Sequence, residues 1–418
     1  MRQSFIRLLF FPIMLMASSH PLAMMAENRI YDPQIKTLQA TVNKDWLSPP
    51  VMRLKSGDVI NIGFDELSHE YHRYIYRVER CEVDWETSEH IFESDWLEGF
   101  NDNTIEDYAL SMNTILPYTH YTLQIPNDRM QLKMSGNYRL WVYDDDGDGE
   151  PVLKVEFMVT EQSMFLGMDI TTNTDIDTNG SHQQVSLSLG YNGMRVTRPE
   201  EQIRTVVMQN GREDNLKSDA KPDRINANGL EWRHCRQLIF NGGNEYRKYE
   251  VLDVSHPTMG IDQIIWDGEH YQVFPFMDAP RPNYLYDEDA DGAFYIRNSD
   301  NRENDTATEY VWINYRLRMP RLKEGNVMID GQWTTDDNPY TYLMEYDEEA
   351  GCYTAKILQK QGYYSYQYLW QTDDGQLHLL PSEGNFHETE NRYQALVYYK
   401  GIGERTWRLA AYGQQIIR

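Results

Sequence analysis

Cysteine is scarce. Its three copies, Cys81, Cys235 and Cys352, stand far apart in 418 residues and are odd in number, which excludes a disulfide framework and any zinc-type spacing. Each is read as a small apolar residue alone in a strand. Stability must then come from apolar cores, and at ~100–200 residues per domain the length supports two to four of them. Positive charge is also short: 39 Lys and Arg face 65 Asp and Glu, a net charge of −26. Such a surface repels phosphate backbones and excludes nucleic acid as a partner. After the first 26 residues no apolar run approaches the ~20 residues that span a bilayer, so no integral membrane segment is expected.

Catalytic signatures are missing as well. There is no Gly-x-Ser-x-Gly elbow, no phosphate loop and no Gly-x-Gly-x-x-Gly after a strand. His69-Glu-Tyr-His72 is one residue short of the zincin pattern, and its surroundings, SHEYHRYIY, read as strand, where two histidines three apart point to opposite faces. The chain therefore reads as non-enzymatic, with no catalytic residue, no cofactor and no metal assigned.

The N-terminus, MRQSFIRLLFFPIMLMASSHPLAMMAENR, has Arg2 and Arg7, an apolar run from Leu8 to Ala17 and small residues after it. This is the pattern of a secretory signal peptide over residues 1–26, with cleavage after Ser19 or near Ala26. No cysteine stands there to carry a lipid.

Nearly every other readable segment has period two, which places alternate side chains on one face of a strand. Ile60, Ile62 and Phe64 alternate with Asn61, Gly63 and Asp65; Leu153, Val155, Phe157 and Val159 follow the same rule. Further strands are predicted at 74–78, 121–125, 138–142, 185–189, 204–209, 238–240, 249–254, 311–317, 327–329, 353–358, 363–370 and 393–399, separated by Asn-Gly, Asp-Gly and Gly-Gly turns. Short strands with recurrent turns predict an all-β fold of tandem immunoglobulin-like β-sandwich domains. Alternation lapses near 160–165 and 319–325, so the expected domains are 27–160, 161–320 and 321–418. The last, with VMIDGQWT and GYYSYQYLWQTDDG, resembles immunoglobulin-like modules of glycogen-binding type, an E-set sandwich. Such modules either grip polysaccharide or pack against a neighbour.

Two acidic stretches, DDDGDG at 144–149 and DEDADG at 287–292, begin like calcium loops. Counting from Asp144 and Asp287, the closing twelfth position holds Val155 and Asn298 rather than Glu, and no helical pattern flanks either stretch. Acid-rich turns between strands are the simpler reading, with YLYDEDADGAFYIR as strand, turn and strand. Three carboxylates in one short loop still favour a cation, so calcium completed by other loops stays open. Segment 85–116 has few alternating runs and is expected to be a long ordered excursion, a form often used in binding. Trp85, Trp96 and Phe100 are its candidate interface residues; the alternative is that these rings cap the first sandwich.

Several long stretches, among them YDPQIKTLQATVNKDWLSPPVMRL, FDELSHEYHRYIYRVERCEVDW, ESDWLEGFNDN, YTHYTLQIPNDRMQLKMSGNYRL and VLDVSHPTMGIDQIIWDG, resemble the plug protein family of the type IX secretion system. The resemblance spans essentially the whole chain beyond the leader. It implies a soluble periplasmic protein without enzymatic activity whose partner is the outer-membrane translocon barrel, the mouth of which it occludes. An exported carbohydrate-binding accessory protein is the alternative, drawn from the aromatic content of 13% and the last module. Asp305-Thr306-Ala307 fits a three-residue O-glycosylation motif of exported bacterial proteins, so Thr306 is a candidate for modification.

Overall fold

The computed structural model describes residues 26–418, the side chain of Pro339 excepted. Apart from Ala26, the expected signal peptide lies outside the described residues. The fold is all-β, as the alternation predicts; among the described residues the α-helical pieces are Glu93–Trp96 and Pro199–Gln202, one turn each.

Three cores organise the chain. In the first, the sheet Arg29–Ile30, Pro151–Thr160, Gly136–Asp144, Tyr74–Cys81, Asn103–Thr104 faces a second sheet, Ile35–Val42, Ile60–Glu66, Thr119–Ile125, Asp107–Leu110. Between them lie Ile60, Ile62, Phe64, Tyr121, Tyr138, Leu140, Val155 and Phe157, the inward residues of the period-two pattern. A second core joins the sheet containing Phe165–Thr171 and His182–Gly190 to one built from Ile203–Gln209, Asn391–Tyr399 and Arg408–Ile417. The third belongs to a ten-stranded sheet running from Arg247–Val251 through Gly362–Gln371 and Cys352–Lys360 to the edge strand Ile261–Trp266.

The border expected at 319–325 does not separate two cores. Tyr310–Leu317, before it, pairs antiparallel with Cys352–Lys360, after it, over eight residue pairs, and residues on both sides share one core. The closing hairpin leaves that core: Val207 pairs with Ala395 and Thr205 with Val397, so strands almost 190 residues apart complete the second unit around the third. Units 161–320 and 321–418 are thus not successive; the third core is inserted into the second. Proline and charge at 319–325 interrupt the alternation because the segment is a connection within one sheet.

Two joints hold the cores together. On the second sheet of the first core, Asp65 alternates with Phe64 and faces outward, yet it is wholly buried because the inserted unit covers that face. Its Oδ2 accepts from Lys360 Nζ (2.7 Å) and the Tyr310 hydroxyl (2.6 Å), and its Oδ1 accepts from His120 Nδ1 (2.7 Å). Lys360 Nζ also lies 4.0 Å from the centroid of the Tyr118 ring and donates to the Asp305 carbonyl. Burial alone would raise the Asp65 pKa, but the Lys360 ammonium and His120 hold it below the ordinary carboxylate value. At the other joint, Arg80 is buried among Ser88 Oγ (3.0 Å), the Ser135 carbonyl (2.9 Å), Thr406 Oγ1 and the Trp407 carbonyl. Gly136, at φ +141°, makes room: a Cβ there would stand 2.6 Å from Arg80 Nη2.

Removing one partner of a buried pair leaves the other charged in a site built for two. Lys360→Met is expected to lose about 3–5 kcal/mol of unfolding free energy, and Asp65→Asn with Lys360→Met less than the two singles combined. Because the Asp65 pKa is depressed in the fold, its contribution is present above the unfolded value of about 4 and is lost as pH falls through the folded value. Urea denaturation of the four proteins at neutral and acid pH measures both effects; additive losses would show that the pair is not coupled.

Candidate functional site

The excursion after Trp85 is ordered and crosses from one sheet of the first core to the other. It runs through Glu93–Trp96, Leu97–Gly99, which pairs with Met130–Leu132, and Asn103–Thr104, and ends in the edge strand Asp107–Leu110. Of the three aromatics singled out in the sequence, two are interior. Trp85 is 3% exposed and sits with Met158, Met208, Leu396 and Tyr398 where the first and second units stack, held at φ +62° with its carbonyl bonded to Arg139 Nη2 (2.8 Å). A bulky residue in the left-handed region is uncommon, and here packing on all sides fixes it. Trp96 is 6% exposed and stacks edge-on against Tyr138 in the first core. Neither ring has a face free for a partner.

Phe100 is different, with 76% of its surface exposed although its backbone is fastened at both ends: its N–H donates to the Arg129 carbonyl and its carbonyl accepts from Asn103 Nδ2 (2.6 Å). A rigid main chain thus holds an apolar ring out in solvent. Phe92, which no sequence pattern marks, is 71% exposed just before the short helix. The two segments are tied by Asn101 Nδ2 donating to Glu93 Oε2 (2.8 Å). Period-two reading had no way to mark Phe92, because the segment has no strand pattern to depart from.

The acidic stretches resolve into local bonding. In 144–149, Asp144 Oδ1 accepts from the Asp146 N–H, Asp148 Oδ1 accepts from the Glu150 N–H, and Asp145 pairs with Arg73 at 2.9 Å. In 287–292 each of the three alternate carboxylates turns to partners of its own. Asp287 takes Lys248 Nζ (2.6 Å), Asp289 takes the N–H groups of Tyr246 and Asp291, and Asp291 faces Arg392 at 3.4 Å. No cluster of three His, Cys, Asp or Glu suited to a metal occurs among the described residues. Tyr284–Tyr286 is irregular and pairs with no strand among the described residues, so the expected strand before this turn is absent, while Phe294–Ile296 after it is a strand. His69 and His72 lie in a connection rather than a strand; His69 Nε2 meets the Ser111 carbonyl (3.0 Å) and His72 meets Glu66. Thr306 is half-buried in the turn that reaches Met112.

A cavity of about 340 Å³ lies where the three units meet. Its charged lining is largely paired: Arg212 with Asp214 (2.5 Å), Arg29 with Asp337 (3.1 Å) and Arg392 with Asp291. Among the described residues no Ser, Cys or His lines it, and so none of them offers a nucleophile of those types or an imidazole base there.

Burial, then the charge of Asp291, pushes Asp289 up to about 8; burial, against the pull of Arg392, leaves Asp291 at about 6. An acid whose folded pKa is raised binds its proton better in the fold, so these two groups cost stability as pH rises from about 4 through 8. Asp289→Asn should therefore gain on the wild type as pH rises from 5 to 9, by on the order of 1 kcal/mol or more; a difference that stays flat across urea melts in this range would contradict it. Because the three carboxylates diverge, melting temperatures in millimolar calcium and in chelator should agree. A calcium-dependent rise of several degrees, lost in Asp289→Asn, would reveal a site.

No curated protein sequence matches the chain. Among solved structures, it is similar to a hypothetical protein from Parabacteroides merdae, with a TM-score of 0.91 and 34% identity over 94% of this chain and 100% of that one. Residues 35–161, from the outer strand Ile35–Val42 to the end of the first core, match the family described as Type 9 secretion system plug protein 1st domain. The chain belongs to the type IX secretion system plug protein family.

Proposed function

We propose that this chain is a non-enzymatic periplasmic plug, which occludes the outer-membrane translocon barrel of the type IX secretion system. The observation that carries the reading is the family match over the first core. The mechanics agree with it: a stopper needs a body that does not flex and a contact surface that can be released. Buried polar bonds and an apolar seam lock the three cores to one another, and Phe92 and Phe100 project from a fastened backbone. Among the described residues no helix is long and apolar enough to cross a membrane.

The carbohydrate-binding alternative drew on the Tyr-rich strand Gly362–Gln371, but Tyr364, Tyr366 and Tyr368 are all buried, the last two bonded to Asp278 (2.8 and 2.7 Å). Those rings build a core and offer no sugar a stacking face.

Affinity isolation from the cell envelope tests the proposal, with co-purification of a very large outer-membrane barrel as the expected result and its absence as the refutation. Within that assay Trp96→Ala should cost about 3–5 kcal/mol of folding stability. Phe100→Ala should leave the melt within about 0.5 kcal/mol while reducing recovery of the barrel. Unchanged recovery with Phe100→Ala would remove this ring from the contact.

A further inference from the structure

Among the described residues the edge strand Asp107–Leu110 pairs on one side only, with Thr119–Ile125. Ser111 N donates to the Tyr118 carbonyl in continuation of this antiparallel ladder, which makes 111/118 a hydrogen-bonded pair and, by alternation, 109/120 and 107/122 as well. The N–H and C=O groups of Tyr108 and Leu110 therefore point away from the sheet. The next group in that outward row, Met112 N–H, is already taken by the Thr306 carbonyl (2.8 Å). The chain thus begins to add a strand-like segment at this edge and leaves two positions open. Beside them Tyr71 and Tyr108 form a tilted ring pair at 4.6 Å, and with Leu110 they extend the apolar face of the first core past the last strand, each about 40% exposed. Natural sheets cover or charge such an edge; here Asp107 charges one end of the strand, while the face carrying Tyr108 and Leu110 stays apolar and uncovered.

We infer that this edge receives a β-strand from a partner protein, and that the strand is basic with apolar residues at alternate positions. Main-chain bonds to Tyr108 and Leu110 supply the pairing, and the Tyr71–Tyr108–Leu110 platform takes every second side chain. Charge selects the occupant: Glu70, Asp107 and Glu303 border the row without ion-pair partners among the described residues, and Asp305 lies exposed beside them. A second copy of this chain, at −26, would bring the same acids edge to edge, so self-pairing is disfavoured.

The test places a photoactivatable benzoylphenylalanine at Leu110 of the full chain in cells, with Phe165, an exposed aromatic of the second unit, as control position. The cross-linked peptide is sequenced, and thermal melts confirm that the substituted chains fold. The expected result is an adduct at 110, at least tenfold above that at 165, with an alternating basic segment of another protein, lost when Tyr108→Lys is added. An adduct with a second copy, with an acidic or non-alternating segment, or at the level of the control overturns the inference. If the segment comes from a protein other than the barrel and the chain does not co-purify with the barrel, this edge stands and the plug proposal falls. If the chain co-purifies with the barrel and no adduct forms at 110, the plug stands and this edge falls.

Discussion

A carboxylate with no access to water fixes how the units of this protein sit. Asp65 lies on a strand whose odd residues belong, by pattern, to the solvent side, and it carries its charge into a seam between two cores. Desolvating that charge is affordable only because Lys360, Tyr310 and His120 converge on its two oxygens, each within 2.7 Å. The donors come from both units, since His120 belongs to the first and Lys360 and Tyr310 to the inserted one. No slide or rotation of one unit on the other keeps all three bonds, which makes the joint directional where an apolar patch would tolerate creep.

The inserted arrangement has a mechanical consequence. Because Ile203–Gln209 pairs with the C-terminal hairpin, the second core closes only when the chain has returned from the third. Both ends of the inserted unit are then anchored in the same sheet system, and the hairpin also presses Leu396, Tyr398 and Leu409 onto Trp85 and Met158 of the first unit. The units are therefore linked in a ring of contacts, first to third through Asp65, third to second through its two connections, second to first through Arg80 and the Trp85 cluster.

The strands themselves were legible in the sequence. Segments such as 74–78, 138–142 and 393–399 lie inside observed strands because alternation is a local property, set by which side of a pleat meets a core. Order and partners were not legible. The pairing of Val207 with Ala395 has no local trace, so a break in alternation at 319–325 passed for a border, and the true departure from the second unit, near residue 245, passed for an ordinary connection. Asp65 shows the same limit at one residue: the pattern says which face it occupies and is silent on what covers that face. Among the interface candidates, composition marked aromatics in an irregular segment but could not separate Trp85, which fills a seam between units, and Trp96, which packs inside the first core, from Phe100, which stands outside both.

A rigid body with two different kinds of seam responds unevenly to its surroundings. The Asp65 and Arg80 joints depend on ionised and hydrogen-bonded groups, whereas the Trp85 cluster is mainly apolar burial, with the Tyr398 hydroxyl donating to Asn137 Oδ1 across it. Salt screens exposed charges over about 10 Å at 0.1 M but hardly touches a pair with no water between its members, so ionic strength leaves the joints intact while it weakens the field of the 26 excess negative charges outside. Contacts made by this protein's surface can therefore be tuned by salt and by the partner's charge without loosening the body that carries them. The proposed plug role would require a body held and released by its outer contacts alone, and the division of labour between buried and exposed charge is compatible with that requirement.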